Sequence, residues 1–128
     1  MLSFKLPEND NKYEWTNHVK EKMVYYGISS SLVKRIVRFP RRKEEGVAPG
    51  TTAVMQPRGS AKTPQEIWVM YQLRRPKEPG LNTAYGKTVA LEPKTRVISA
   101  WRYPGISPVG KKIPIPDEIL QELENIIT

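Results

Sequence analysis

Residues 66–74 read EIWVMYQLR. Nine residues dense in β-branched and aromatic side chains favour a strand over a helix. One parity holds Ile67, Val69, Tyr71 and Leu73, and the other holds Trp68, Met70, Gln72 and Arg74. Both faces are partly apolar, so the strand is expected at the centre of a sheet with material packed on each side.

Working outward, residues 51–57 (TTAVMQP) read as a short strand ended by Pro57, and 58–64 (RGSAKTP) as a basic connection. Beyond the central strand, 75–82 form a turn-rich link. Residues 85–93 (YGKTVALEP) and 95–103 (TRVISAWRY) then read as two more strands, tightly joined. Parity allows Trp68 and Trp101 to share a face. Core packing accounts best for most of Trp68, Trp101, Tyr71 and Tyr103, with stacking on unpaired bases as the alternative. Residues 104–116 carry four prolines and are expected to run extended across the surface.

The front half has helical periodicity. Trp15, Val19, Met23 and Tyr26 recur at spacings of four, four and three. Thr16 or Asn17 supplies the cap, and Gly27 suits a left-handed helix end. Ser29 or Ser30 caps a second helix that buries Leu32, Val33, Ile36 and Val37 and stops at Pro40. Residues 40–50 read as a charged loop. A last helix over 116–126 opens on Pro116, Asp117 and Glu118, with Ile119, Leu120, Leu123 and Ile126 on its apolar side.

The expected fold class is α+β: an N-terminal helical hairpin packed on a four-stranded antiparallel sheet, with a short C-terminal helix. A loose arm over 1–12, pinned by Phe4 or Leu6, precedes a single domain over 13–128.

Composition narrows function. The 128 residues contain no cysteine and one histidine, which excludes disulfides, thiolate chemistry and histidine-rich metal sites. No metal or cofactor is expected. Neither a signal-length apolar core near the N-terminus nor a membrane-length run is present, so a soluble cytoplasmic protein is expected. The net charge of +8 is uneven: the last thirteen residues hold four acids and no base. The remaining 115 hold all 21 bases against nine acids, a field that favours polyanions, nucleic acid above all. Residues 86–88 (GKT) lack the spacing of a phosphate loop. No serine is marked by the sequence as partnered with histidine and acid.

HVKEKMVYYGISSSLVKRIV (18–37) resembles the opening motif of a widespread family of uncharacterised prokaryotic domains. That motif has a His, an Arg-Met pair four residues on, then Arg-Gly-Ile-Ser and an apolar helix. His18, Met23, Gly27, Ile28 and Ser29 match, while Lys22 and Tyr26 stand where the motif has arginine. RVISAWRYPG (96–105) resembles the family's late strand. The family is placed beside the RelE/ParE toxins among barnase-like, metal-independent ribonucleases. The resemblance therefore implies a RelE-like fold, an RNA target and a protein antitoxin as partner.

Metal-independent RNA cleavage needs a base for the ribose 2′-hydroxyl, a cation for the phosphate and an acid for the leaving oxygen. His18 is the acid–base candidate, and Lys22, four residues on, shares its helical stripe with Tyr25. Arg102 and Tyr103 close the last strand and supply charge and a hydroxyl. Arg38, Arg41, Arg42 and Lys43, in RFPRRK (38–43), are candidates for phosphate-backbone contact. Arg74 and Arg75 are candidates to line the same groove. Each has an ordinary alternative: a packed or capping histidine, and solvated cations. Three readings of function stay open. One is a toxin-type endoribonuclease, and one is a non-catalytic RNA- or protein-binding module. The third is a partner subunit, whose acidic C-terminal helix folds over the basic groove.

Overall fold

The structure, a computed structural model, describes residues 5–74 and 93–127, with side chains to residue 124. Its elements are β1 (Tyr13–Trp15), α1 (Asn17–Tyr26), α2 (Ser30–Arg38), β2 (Arg42–Glu45), β3 (Thr51–Gly59), β4 (Pro64–Arg74), β5 (Lys94–Pro104) and α3 (Asp117–Ile127). One sheet holds the strands in the order β1-β5-β4-β3-β2. β1 pairs with β5 in parallel, and every other pairing is antiparallel.

The α+β class and the central place of β4 agree with the sequence reading, but the sheet differs in detail. It is five-stranded and mixed, not four-stranded and antiparallel. Arg42–Glu45, expected in a loop, forms an edge strand on β3. Trp15, expected on the first helix, lies in β1. The helix cannot include it because Thr16 is the N-cap: its Oγ accepts the Val19 N–H at 3.0 Å, with extended backbone angles. The same hydroxyl donates to the Ile98 carbonyl at 2.9 Å, which ties the start of α1 to β5. The strand expected over 85–93, the link over 75–82 and Arg75 lie outside the described residues. β5 takes β4 as its direct neighbour, from Gln65↔Pro104 to Arg74↔Lys94.

Gly27 ends α1 at φ 67°, where a side chain would clash with its own backbone, and sends the chain into Ile28, which is fully buried. Ser29 caps α2 by accepting the Leu32 N–H at 3.1 Å. α1 lies along β5 and α2 over β3 and β4. Val19, Met23, Val33 and Ile36 from the helices meet Val54, Ile67, Val69 and Ala100 from the sheet to form the first core. In the arm, Phe4 lies outside the described residues and Leu6 is half-exposed, while Pro7 is the buried residue. Asn9 and Asp10 tie the arm to β1 by accepting N–H groups of Trp15, Tyr13 and Lys12.

The second face of the sheet carries a second core. Trp68 and Trp101 are directly paired across β4 and β5 and stack at 6.2 Å and 6°. Ile113 of the proline-rich strap and Ile119 and Leu123 of α3 cover them. The strap is stitched down by polar groups. The Trp101 indole N–H donates to the Pro114 carbonyl at 2.8 Å. Glu66, 3% exposed, accepts from the Trp68 indole at 3.0 Å, the Ser107 N–H at 3.1 Å and the Ser107 hydroxyl at 2.5 Å. A buried carboxylate is tolerable when its lone pairs are filled in this way.

Glu66→Ala would orphan the Ser107 N–H and the Trp68 indole. The expected loss is about 1–3 kcal/mol for each donor left dry, read as a lower urea midpoint at unchanged slope. Glu66→Gln should recover part of it.

Candidate functional site

His18 sits where α1, β5 and α3 meet. β5 carries one extra residue opposite the Met70/Tyr71 step, since Met70 faces Ser99 and Tyr71 faces Val97. Such a bulge re-aims side chains. Here the fully buried Ser99 hydroxyl lies 2.8 Å from His18 Nε2. On the other side of the ring, Nδ1 lies 2.7 Å from Glu122 Oε2. Glu122 Oε1 accepts from Lys22 Nζ at 3.1 Å, and Lys22 Nζ stands 5.8 Å from the Tyr25 ring centre. One carboxylate of the acidic helix thus engages both His18 and Lys22.

The neutral ring satisfies this arrangement completely: Nδ1–H donates to Glu122, and Nε2 accepts from the Ser99 hydroxyl. Burial holds the imidazole below its ordinary pKa of 6.5, with Lys22 reinforcing the shift and Glu122 and Glu21 opposing it. Glu122 is held below its ordinary value chiefly by the Lys22 hydrogen bond, with His18 adding to it.

Ser99, His18 and Glu122 therefore have the connectivity of a serine-hydrolase triad. This corrects the expectation that no serine has a histidine–acid partner. The arrangement is nonetheless closed. Ser99 has no exposed surface and His18 is 7% exposed, so a phosphate or carbonyl reaches neither while α3 is in place. Ile119 and Leu123 of α3 are fully buried, at a contribution on the order of 2 kcal/mol each. Moving α3 would forfeit that burial and remove Glu122 with it. The cluster is either complete and covered, or open and without its acid.

The other two residues grouped with His18 from the sequence lie elsewhere. The Arg102 guanidinium donates to the Tyr26 carbonyl at 2.9 Å and to Gln65 Oε1 at 2.9 Å. It closes the C-terminal end of α1, about 12 Å along the helix from His18. Tyr103, four residues beyond Ser99 on β5, packs against the second core.

The cationic candidates divide sharply. Arg42 is turned inward and spent. It bonds Glu44 at 3.0 Å, the Ser107 hydroxyl at 2.7 Å and the Pro108 carbonyl at 3.1 Å, and it lies over the Trp68 ring at 5.2 Å. Arg74 is paired with Glu14 at 2.8 Å. Lys43 is exposed on the edge strand, and Arg38 and Arg41 are exposed on either side of Phe39 and Pro40.

Arg38 belongs to a hollow of about 460 Å³ between α2 and the N-terminal segment. Lys12, Lys34 and Arg35 join it there, with Ser31, Asp10, Tyr13 and the 64% exposed ring of Phe39. Among the described residues, none of these four cations makes an ion pair of 4.0 Å or less. Lys34 Nζ lies over the Tyr13 ring at 5.2 Å. Asp10 is the one acid present, held below its usual range by the Tyr13 and Lys12 N–H groups it accepts. Lys12, Lys34 and Arg35 were missed in the sequence, although residues 31, 34, 35 and 38 follow the i, i+3, i+4, i+7 spacing of one helical stripe.

No family model, curated protein or solved structure matches this chain. Among the described residues, no three metal-ligating side chains gather in one place, and no helix is long and apolar enough to cross a membrane.

The histidine seam makes stability depend on pH with a definite sign. His18 and Glu122 both have depressed pKa values, so both contribute stability above their unfolded values that is lost as pH falls. The melting temperature should drop as pH is lowered from about 7 through 6, and again below the carboxylate value of 4.5. His18→Gln, which cannot take up a proton there, should flatten the upper limb in a thermal melt followed by circular dichroism.

Proposed function

We propose that this domain binds single-stranded RNA through the cationic hollow of α2. The observation that carries the reading is the convergence of Lys12, Lys34, Arg35 and Arg38 on one hollow with no ion-pair partner among the described residues. Like charges held together favour an anion that spans them. Phe39 offers an exposed ring beside them, and a stacking face next to phosphate-binding cations is how sequence-tolerant single-strand binding works. The resemblance of residues 18–37 to a family beside the RelE/ParE toxins adds a reason to choose RNA. In this reading His18 is a structural pin that fastens α1, β5 and α3.

Fluorescence anisotropy with labelled single-stranded RNA tests it. Affinity should fall with salt, and the slope of log K against log salt should become shallower by about 0.7 for each phosphate contact removed. Arg35→Ala with Arg38→Ala should flatten it by about 1.4 and weaken binding about tenfold or more. His18→Gln should leave affinity within twofold. Salt-independent or absent binding would refute the reading.

A metal-independent ribonuclease is the second reading. It is favoured by one observation, the meeting of His18, Lys22 and Ser99 at one point. It requires α3 to leave that point. RNA cut in EDTA to cyclic-phosphate ends, with loss of cutting in His18→Ala, would replace the binding reading with this one.

A further inference from the structure

A second hollow, of about 470 Å³, opens on the other side of Phe39 and Pro40, between the β3–β4 hairpin and the start of the strap. Arg41 and Arg58 border it, with Met55, Pro57, Gln65 and Ile106 among its walls. We infer that this hollow is a second RNA subsite, and that one strand runs from the α2 hollow across Phe39 into it. The inference rests on the RNA reading above and extends it to the length and path of the ligand.

The charge balance favours a phosphate. Arg41 and Arg58 are exposed, and among the described residues neither has an ion-pair partner. The bordering acid, Glu66, is 3% exposed, and both its oxygens are taken by Trp68 and Ser107. An entering anion therefore meets free guanidinium groups and a carboxylate already turned inward. Lys62, exposed at the tip of the same hairpin, adds a third cation.

The walls suit a base without reading its edge. Pro57 is exposed and Ile106 is 76% exposed, an unusual place for a large aliphatic side chain. Apolar surface beside phosphate-binding cations accepts the flat face of any base.

The two hollows share a rigid saddle. Arg38 and Phe39 line the first and Arg41 the second, and three residues of chain span no more than about 11 Å. Gln56 Nε2 donates to the Phe39 carbonyl at 2.7 Å, and the Arg41 N–H donates to the Met55 carbonyl at 2.8 Å. Pro40 fixes the turn between them. The far wall is equally set. Ser60 and Thr63 are bonded across the hairpin turn, and Gly59, at φ 83°, abuts the Thr63 carbonyl so closely that no side chain fits. Two preformed basic hollows a few residues apart make a track that needs no rearrangement to be filled.

Length separates this inference from the reading beneath it. The full chain would be titrated with a labelled single-stranded tetranucleotide and a dodecanucleotide of RNA. Arg41→Ala with Arg58→Ala should weaken the dodecamer about tenfold and flatten its salt slope by about 1.4, while tetramer affinity stays within twofold. Both arginines are exposed, and an unchanged melting temperature would show that the variant is folded. Dodecamer affinity and slope unchanged by this pair, while Arg35→Ala with Arg38→Ala reduces both, would overturn the second subsite and leave RNA binding standing. Equal losses for tetramer and dodecamer would overturn the track in favour of one merged site. A wild-type chain that binds neither RNA would overturn the RNA reading, and the track with it.

Discussion

The contact on which the rest depends is the stack of Trp68 on Trp101 across β4 and β5. Two indoles on the second face of a sheet whose first face already carries two helices present more apolar surface than a 128-residue chain leaves to water. The strap and α3 answer that surface. Each indole N–H also needs an acceptor, and those acceptors, Glu66 and the Pro114 carbonyl, decide where the strap lies. Arg42 closes over Trp68 and reaches Ser107 and Pro108 from the far edge of the sheet. Once Ile119 and Leu123 are seated on the stack, α3 has no freedom of place, and Glu122 arrives at His18 and Lys22. The carboxylate that meets the histidine is thus delivered by the core built on these tryptophans.

Most of the fold was legible because its signals are local. Alternation in 66–74, the Thr16 and Ser29 caps and the glycine after α1 each act within a few residues. What escaped was long-range. β1 and β2 have three and four residues, too few to show a period. β2 also hides its pattern, because its inward residues are Arg42 and Glu44. Arg42 packs against an indole and a hydroxyl far along the chain, so it reads locally as a charged loop residue. Trp15 fell at helical spacing from Val19 by coincidence of the cap.

The candidate site divides the same way. A helical wheel puts Lys22 beside His18 correctly, but no wheel contains Glu122, which comes from α3 through the second core. Ser99 was invisible because a bulge exists only once strand register does. The α2 stripe is a different case. Residues 31, 34, 35 and 38 were legible by spacing alone, yet the dense run at 38–43 drew attention to itself. Density in sequence proved a poor guide: one arginine of that run, Arg42, is spent inside the protein.

These distributions bear on function through charge pairing rather than charge count. Lys22, Arg42 and Arg74 each have a carboxylate at 3.1 Å or less. Cations so engaged offer little to a ligand, because binding would first break the existing pair. Among the described residues, Lys12, Lys34, Arg35, Arg38, Arg41 and Arg58 have no such partner and line two hollows, one holding Phe39 and the other beside the β3–β4 hairpin. The acidic C-terminal helix engages the histidine seam and lines neither hollow. Like charges gathered in a hollow raise the local positive potential that any anion entering it meets. The geometry thus separates cations engaged in holding the fold from those left exposed in the two hollows, and the histidine belongs with the first.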